Sequence, residues 1–336
     1  MKQKLNILYA IQCTGNGHLT RSKEVIRSLK KYKANEIERI DVCLSGEFSQ
    51  VTTDELDVRF KYKGLGLDIA SGRLSIWKTF RSTDIKEFIK SILDIELNDY
   101  DIIISDFEPV TCWAAKLRGK KVLGIGNHYK FLNNKSFLKN LDPNFFSNKM
   151  IVKSICPVNK YMAFDYLKEG DNEYFPIIRD TLKRVDLLKD DFHIVYLSSF
   201  TIDEQIKFFN LFPNERFYIY HNSVDEAYDF ENCHIRPINK VDFTEKLIRC
   251  KGVICHTGFQ TTSECLYLGK KMLVIPIKKQ IEQIYNTKML KKMGVLTSDH
   301  LEITQFNDFF ENDYSVKLNY QDEMKQVCDE ILKFRS

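Results

Sequence analysis

The chain has 336 residues, 43% apolar and 29% charged, an ordinary globular composition with enough length for two cores of roughly 150 residues each. Lys and Arg number 50 against 46 Asp and Glu, so the net charge is only +4 and is spread along the chain; no nucleic-acid partner is expected. No run approaches the ~18 apolar residues that span a bilayer. The apolar stretch 5–11 behind Met1-Lys2-Gln3-Lys4 is too short for a signal peptide and enters a glycine turn without a cleavage site, so a cytoplasmic location is expected, with peripheral contact to the inner membrane face at most.

In chain order, apolar strands are expected near 5–11, 39–44, 102–105 and 121–125, with helices near 19–31, 77–97 and 109–118. From about Asp191 the alternation restarts, with strands at 192–198, 216–220, 233–236, 252–255 and 272–275 and helices near 202–210, 240–249, 260–268 and 281–292; 304–312 and 318–333 close the chain as helices. Strands alternating with helices build parallel sheets, so the fold class is α/β with two doubly wound, Rossmann-like domains facing across a cleft. Their expected limits are 1–180 and 190–315, with a C-terminal helix in 316–336. Nine cysteines, an odd number without a C-x-x-C pair, fit small buried side chains in a reducing compartment. Cys233-His234 and Cys255-His256 sit on strands, where adjacent side chains face opposite ways, and no metal site is expected.

Two strand-to-helix turns carry the distinctive chemistry. The strand 5–11 enters Gln12-Cys13-Thr14-Gly15-Asn16-Gly17-His18 and then a helical pattern through Val25, Ile26 and Leu29. Two glycines permit a tight turn, and His18 stands at the helix start. The dinucleotide fingerprint fails, because Thr20 holds the third glycine position and Glu47 lies beyond the customary spacing of about 20 residues. In the second half, His256-Thr257-Gly258-Phe259-Gln260-Thr261-Thr262-Ser263-Glu264 follows the strand Gly252-Val253-Ile254-Cys255 and opens a helix that ends at Gly269, a C-cap. A helix N-terminus presents backbone N–H groups and positive dipole, so this turn suits a diphosphate, with Thr261 and Thr262 adding hydroxyl donors. Helical side chains lean toward the N-terminus, which aims Glu264 at the helix mouth, where an acid suits the two hydroxyls of a ribose. A capped turn with an exposed Glu is the competing description of the same residues.

Ligands of open α/β sheets bind outside the carboxyl ends of the strands. Polar residues recur there: His18, Ser105-Asp106-Phe107-Glu108, Asn127-His128, Ser198-Ser199, His256, and Lys278 to Gln283.

These residues resemble the GT-B glycosyltransferases over nearly the whole chain, above all the metal-independent group with the peptidoglycan GlcNAc transferase and the UDP-glucuronosyltransferases. Gly15-Asn16-Gly17-His18-Leu19-Thr20-Arg21 is similar to that family's Gly-Gly-His loop, whose His is the proposed general base in many members. His256, Gly258, Thr261 and Glu264 fall on its nucleotide-diphosphate motif, and Gln280-Ile281-Glu282-Gln283 with Asn286 resembles the segment that holds the donor sugar. An amide beside a carboxylate suits hydroxyls that both donate and accept. Thr257 stands where the family often has a second Gly, and Phe259-Gln260 where some branches have Trp-Asn.

The resemblance implies transfer from a nucleotide sugar, expected to be a UDP-sugar, to an acceptor hydroxyl with inversion and without metal or other cofactor. His18 would take the acceptor proton and Asp106 would orient it, with Glu108 as the substitute; the 259–262 amides and His256 would meet the leaving diphosphate. Gly17, Ser198 and Ser199 join the expected nucleotide-sugar contacts. Asp106 is equally placed to cap the helix starting near Pro109. Asp99-Tyr100-Asp101 matches the D-x-D of the other large glycosyltransferase fold but lies at the amino end of its strand, and Met272 stands where the Glu-x7-Glu of retaining enzymes would place a second acid. Two alternatives share the nucleotide site: a UDP-GlcNAc 2-epimerase-like enzyme, and a non-catalytic nucleotide-sugar-binding subunit.

The acceptor is less legible. Residues 129–160 interleave Tyr129, Phe131, Leu132, Phe137, Leu138, Phe145, Phe146 and Met150 with Lys130, Lys135, Lys139, Lys149 and Lys153. That pattern suits either contact with anionic lipid, which would make the acceptor a lipid or lipid-linked glycan, or a helical stretch packed on the first domain.

Overall fold

The computed structural model describes residues 3–13, 16–46, 53, 55–64, 69–70, 73–74, 84–133, 145–278 and 280–335. The chain divides into two compact units: Met1–Ile69, Leu74–Ile177 and Gln321–Ser336 form the first, and Ala70–Arg73 with Ile178–Tyr320 the second.

The first unit is built on a seven-stranded sheet, parallel throughout. Its strands are β1 (Leu5–Gln12), β2 (Ile37–Ser45), β3 (Val58–Tyr62), β4 (Ile102–Asp106), β5 (Leu123–Ile125), β6 (Lys160–Phe164) and β7 (Glu173–Tyr174), in the order β3-β2-β1-β4-β5-β6-β7. Central β1 is buried at every position but Asn6, as a parallel strand covered on both faces must be. Helices α1 (Asn16–Tyr32), α2 (Ile85–Asp94), α3 (Pro109–Leu117) and α4 (Phe145–Ile155) belong to this unit. The strand order reverses between β1 and β4, so the loops after these two strands part there and leave a crevice at their carboxyl ends.

The second unit repeats the plan. Strands β8 (His193–Tyr196), β9 (Phe217–His221), β10 (Tyr228–Phe230), β11 (Cys233–Pro237), β12 (Gly252–His256), β13 (Lys271–Ile275) and β14 (Leu296–Thr297) lie in the order β10-β11-β9-β8-β12-β13-β14. All neighbours are parallel except the edge strand β10 against β11. Helices α5 (Ile202–Phe209), α6 (Lys240–Arg249), α7 (Phe259–Leu268), α8 (Ile281–Lys292) and α9 (Ile303–Glu311) complete it. Phe209, Phe212, Phe217, Phe306 and Phe309 form the core with Val195, Ile219, Ile254 and Leu273. Here the order reverses between β8 and β12.

The C-terminal helix begins only at Met324, not near 318, and it packs on α1 in the first unit. Met324, Val327, Cys328, Ile331 and Leu332 recur at helical spacing and are all buried, while Lys33 and Asp329 pair at its edge. Leu318 is instead held by its N–H on the carbonyl of Leu266, so the stretch before the helix is spent on another contact. Of the helix expected at 77–97, the described part is Ile85–Asp94, capped by Asp84. Residues 77–83 lie outside the described residues. Strands β3, β6, β7, β10 and β14 were not expected: β3 alternates Arg59 and Lys61 with apolar residues, β10 is exposed along its length, and β7 and β14 are two residues long. All nine cysteines are buried free thiols.

Ile331 is fully buried, and its truncation to Ala is expected to cost about 2–5 kcal/mol in denaturant unfolding. A change under about 0.5 kcal/mol, the level of a surface site, would contradict the integration of the terminal helix into the first unit.

Candidate active site

At the crevice of the first unit, α1 follows β1 directly and brings three side chains to the end of β4. His18, Arg21 and Ser22 stand at i, i+3 and i+4, one face of the helix. All three reach Asp106, which is completely buried. Ser22 Oγ donates to Oδ2 at 2.9 Å, Arg21 Nε donates to Oδ2 at 3.0 Å, and Arg21 Nη2 donates to Oδ1 at 2.5 Å. His18 Nδ1 lies 2.7 Å from Oδ1. Burial by itself would raise the Asp106 pKa, but the Arg21 guanidinium and His18 overcome it and hold the carboxyl down to about 2. An ionised carboxylate only accepts, so Nδ1 carries the proton and donates, and Nε2 of the neutral ring holds a lone pair. The His18 side chain remains 16% exposed. Thr14 and Gly15 of the same turn lie outside the described residues.

The turn after β4 separates two carboxylates by role. Glu108, not Asp106, caps α3: its oxygens accept from the N–H groups of Val110 and Thr111, both at 2.7 Å, with Pro109 at the first helical position. Ser45 Oγ also donates to it, and burial raises its pKa against these bonds. Glu108 is therefore a buried cap and no substitute for Asp106 beside His18. Asp101 of the D-x-D stretch accepts from the Asn6 N–H at 2.8 Å at the amino end of β4.

In the second unit His256 ends β12 and is 6% exposed. Its Nδ1 donates to the Ile275 carbonyl at 2.7 Å, and its Nε2 accepts from the Ser199 N–H at 3.1 Å, so the two strand ends β8 and β12 are tied by one neutral ring. Burial pushes its pKa down to about 4, only partly offset by the Ile275 bond. His256 therefore holds the Ser198–Ser199 turn and brings no positive charge to an anion, contrary to the expected phosphate contact. Ser198 is exposed and Ser199 half-buried. Gly258 is the N-cap of α7 and offers no side chain to close the helix mouth; a Cβ built there would meet nothing within 4 Å. Gly269 ends the same helix at φ 67, the left-handed C-cap that its glycine foreshadows.

The hydroxyls divide. Thr262 is buried and donates back to the Gly258 and Phe259 carbonyls, so its oxygen serves its own helix. Thr261 is half-buried on the first turn. Glu264 does not point free into the mouth: it is 2% exposed and takes a bidentate pair from Arg179, Nε to Oε1 at 2.7 Å and Nη2 to Oε2 at 2.6 Å. Gln260 Nε2 donates to the same Oε1 at 2.9 Å, and Arg179 Nη1 reaches Thr244 on α6. After β13, Gln280 caps α8 without a side-chain bond, and its Oε1 is buried without a partner. Gln283 is committed elsewhere, its Oε1 accepting from the Ile277 N–H at 2.9 Å and from Thr257, while Asn286 donates to the Thr257 carbonyl. Glu282 is half-buried beside Asn286, 3.5 Å from its Nδ2.

Both crevices thus hold the polar groups at a topological switch point. A family model described as glycosyl transferase family 1 matches residues 5–312. The chain belongs to this family. Similar solved structures include the glycosyltransferase of kitacinnamycin, at 13% identity and TM-score 0.60 over 98% of this chain and 94% of that one. The calicheamicin glycosyltransferase CalG4 is also 13% identical, with TM-score 0.58 over 98% and 94%. MurG of Acinetobacter baumannii is 14% identical, with TM-score 0.53 over 99% and 100%. Comparison with curated proteins gave no match. The fold is GT-B, two Rossmann-like parallel sheets, and the protein is a glycosyltransferase that takes its sugar from a nucleotide donor.

Sequence reasoning did not single out four residues of this glycosyltransferase. Arg21 and Ser22 were recoverable from their i+3 and i+4 spacing to His18, and His128 was noted only as a strand-end residue. Arg179 lies 85 residues from Glu264, and no local pattern announces it.

The histidines set an acid limit. An unfolded His titrates near its ordinary 6.5, whereas folded His256 titrates at about 4, so between these values the unfolded chain binds more protons and stability falls as pH falls. Burial also lowers His193 and His221, which act in the same direction. Asp106 acts lower: its contribution is full above its ordinary 3.8 and is lost as pH drops through about 2. The second unit is expected to lose on the order of 3 kcal/mol from His256 alone between pH 6.5 and 4. Denaturant titrations should show that loss in the native chain and a shallower one in His256→Gln; equal pH slopes for the two would contradict it.

Proposed function

We propose that this glycosyltransferase moves the sugar of a UDP-sugar to an acceptor hydroxyl with inversion and without a metal. Inversion needs a base for the acceptor proton on one side of the anomeric carbon and a stabilised leaving diphosphate on the other. The first unit carries the base: His18, its Nδ1 engaged by ionised Asp106, has Nε2 available to accept a proton. The His18–Asp106 pair is the observation that carries the reading. Asp106 supports the imidazolium that forms, as a carboxylate does in a hydrolase triad. The second unit carries the cradle: the uncapped mouth of α7 at Gly258, with the backbone of Phe259 and Gln260 and the Thr261 hydroxyl, supports a diphosphate site in which helix dipole and N–H groups meet the developing charge.

Glu264 meets the ribose from within its pair with Arg179. The guanidinium neutralises an acid that would repel a diphosphate one turn away, and a carboxylate with about four acceptor sites keeps one for a hydroxyl. Gln280, with its buried unpartnered oxygen, and Glu282 favour the donor sugar. Gly17 lines the α1 turn beside the base. Phe146 and Met150, each 63% exposed and one turn apart on α4 near Lys149 and Lys153, favour a lipid or lipid-linked acceptor; no helix among the described residues is long and apolar enough to cross a membrane.

His18→Ala should leave UDP affinity unchanged within about twofold while kcat falls by about 10²–10⁴-fold. Turnover equal to the native rate would remove His18 as the base. Glu264→Gln, monitored by calorimetry, is expected to weaken UDP about tenfold or more, equivalent to about 1.4 kcal/mol; an unaltered dissociation constant would take Glu264 out of the ribose site. Extending the titration to GDP and TDP tests the base, with UDP expected to bind tightest.

A further inference from the structure

A hydrogen bond at Nδ1 fixes one point of an imidazole but not the plane of the ring, so Asp106 alone leaves His18 free to swing Nε2 about that contact. A neighbouring aromatic stack supplies the second restraint. The ring of His128 lies against His18 with centroids 5.3 Å apart and planes within 13°. Behind it, Phe107 stacks on His128 at 4.2 Å and 10°. Tyr129, fully buried, meets Phe107 edge-on at 6.1 Å and 73°. The column runs from the core outward and ends on the one ring of the four that the first unit offers as a base.

Two uncommon backbone conformations build this column. Phe107 sits at φ 56, a left-handed conformation that costs a bulky residue about 1–3 kcal/mol, and it immediately follows Asp106. Gly126, two residues before His128, sits at φ 146, and a Cβ there would come within 3.2 Å of Arg21 Nη2 and 3.3 Å of Asp106 Oδ1. The turns after β4 and β5 are thus each bent so that Phe107 and His128 overlap in front of the carboxylate cluster. Stacked aromatic pairs return about 0.5–1.5 kcal/mol each, which offsets such strain without making it a source of stability.

We propose that His128 is the positioning residue of the base, fixing the plane of the His18 ring while Asp106 fixes its Nδ1, so that together they set the direction of Nε2. The inference rests on the reading of His18 as the base. Positioning is worth rate because misplacing a reacting group by about 1 Å costs on the order of 10²-fold. The role belongs to the ring face of His128, and a flat apolar ring performs it equally well.

The test is a set of variants of the full chain assayed with saturating UDP-sugar. His128→Ala is expected to lower kcat by about 10–100-fold with donor KM and UDP affinity unchanged. His128→Phe, which restores a stacking face without a ring nitrogen, should recover kcat to within about threefold of native. Native turnover in His128→Ala overturns the proposal, and so does a His128→Phe variant as slow as His128→Ala, since that outcome assigns the role to a nitrogen. If His128→Ala fails to fold, Phe107→Leu removes the plate behind His128 and should lower kcat about tenfold at constant KM; native kcat there overturns the proposal as well. His18→Ala separates the two claims: full turnover in it removes the base, whereas a slow His18→Ala beside a fast His128→Ala removes only the positioning role.

Discussion

The first unit turns on one buried carboxylate. Asp106 sits at the end of a central strand with no exposure, and a lone ion there would cost several kcal/mol. Arg21, Ser22 and His18, delivered by a single helix, supply the donors that make it tolerable. The constraint propagates outward. Arg21 has to lie against Gly126, Ser22 has to face the sheet, and α1 has to follow β1 at once so that its first turn stands over β4. Arg21 also shares the carboxylate with His18, so the charge that steadies the ring is anchored independently of whether the ring is protonated.

The second unit solves the same topology with opposite chemistry. Where the first collects an ionised acid, a guanidinium and a half-buried imidazole, the second buries a neutral imidazole between Ser199 and Ile275 and leaves the mouth of α7 without a side-chain cap. The acid nearest that mouth is neutralised by Arg179. An uncapped helix mouth with its nearest acid paired presents backbone N–H groups and helix dipole without adjacent uncompensated negative charge, the features on which the proposed diphosphate site rests.

The parallel α/β plan, the strand ends and the placing of Asp106 beside His18 were legible because buried parallel strands show as apolar runs and their carboxyl ends carry the polar exceptions; the strand order itself was not. Strand β3 does alternate, Arg59 and Lys61 with apolar neighbours, but over only five residues of an edge strand; β10 is exposed at every position and so has no buried face to mark it, and short β7 and β14 leave no pattern at all. Side-chain roles were legible only where one helix turn decides them. The cap went to Glu108 because it stands directly before Pro109, and a choice between two acids in one turn depends on φ at Phe107, which no composition rule supplies. The Thr262, Gln283 and His256 side chains look available in sequence but are consumed by their own helix, by Thr257 and Ile277, and by a neighbouring strand end. Such commitments are tertiary, like the Arg179–Glu264 pair, and a strand-turn-helix pattern cannot distinguish a hydroxyl that faces a ligand from one that faces a carbonyl.

The most direct test is the turnover of Asp106→Asn at saturating donor. An amide keeps the shape of the cluster but cannot hold Nδ1–H as an anion does or support the imidazolium. The proposed mechanism predicts a kcat lower by about 10²–10⁴-fold with UDP affinity retained, the loss expected when a base loses its orienting carboxylate. A variant that folds and turns over within about threefold of the native rate would contradict the account, because the buried carboxylate would then be an element of architecture alone.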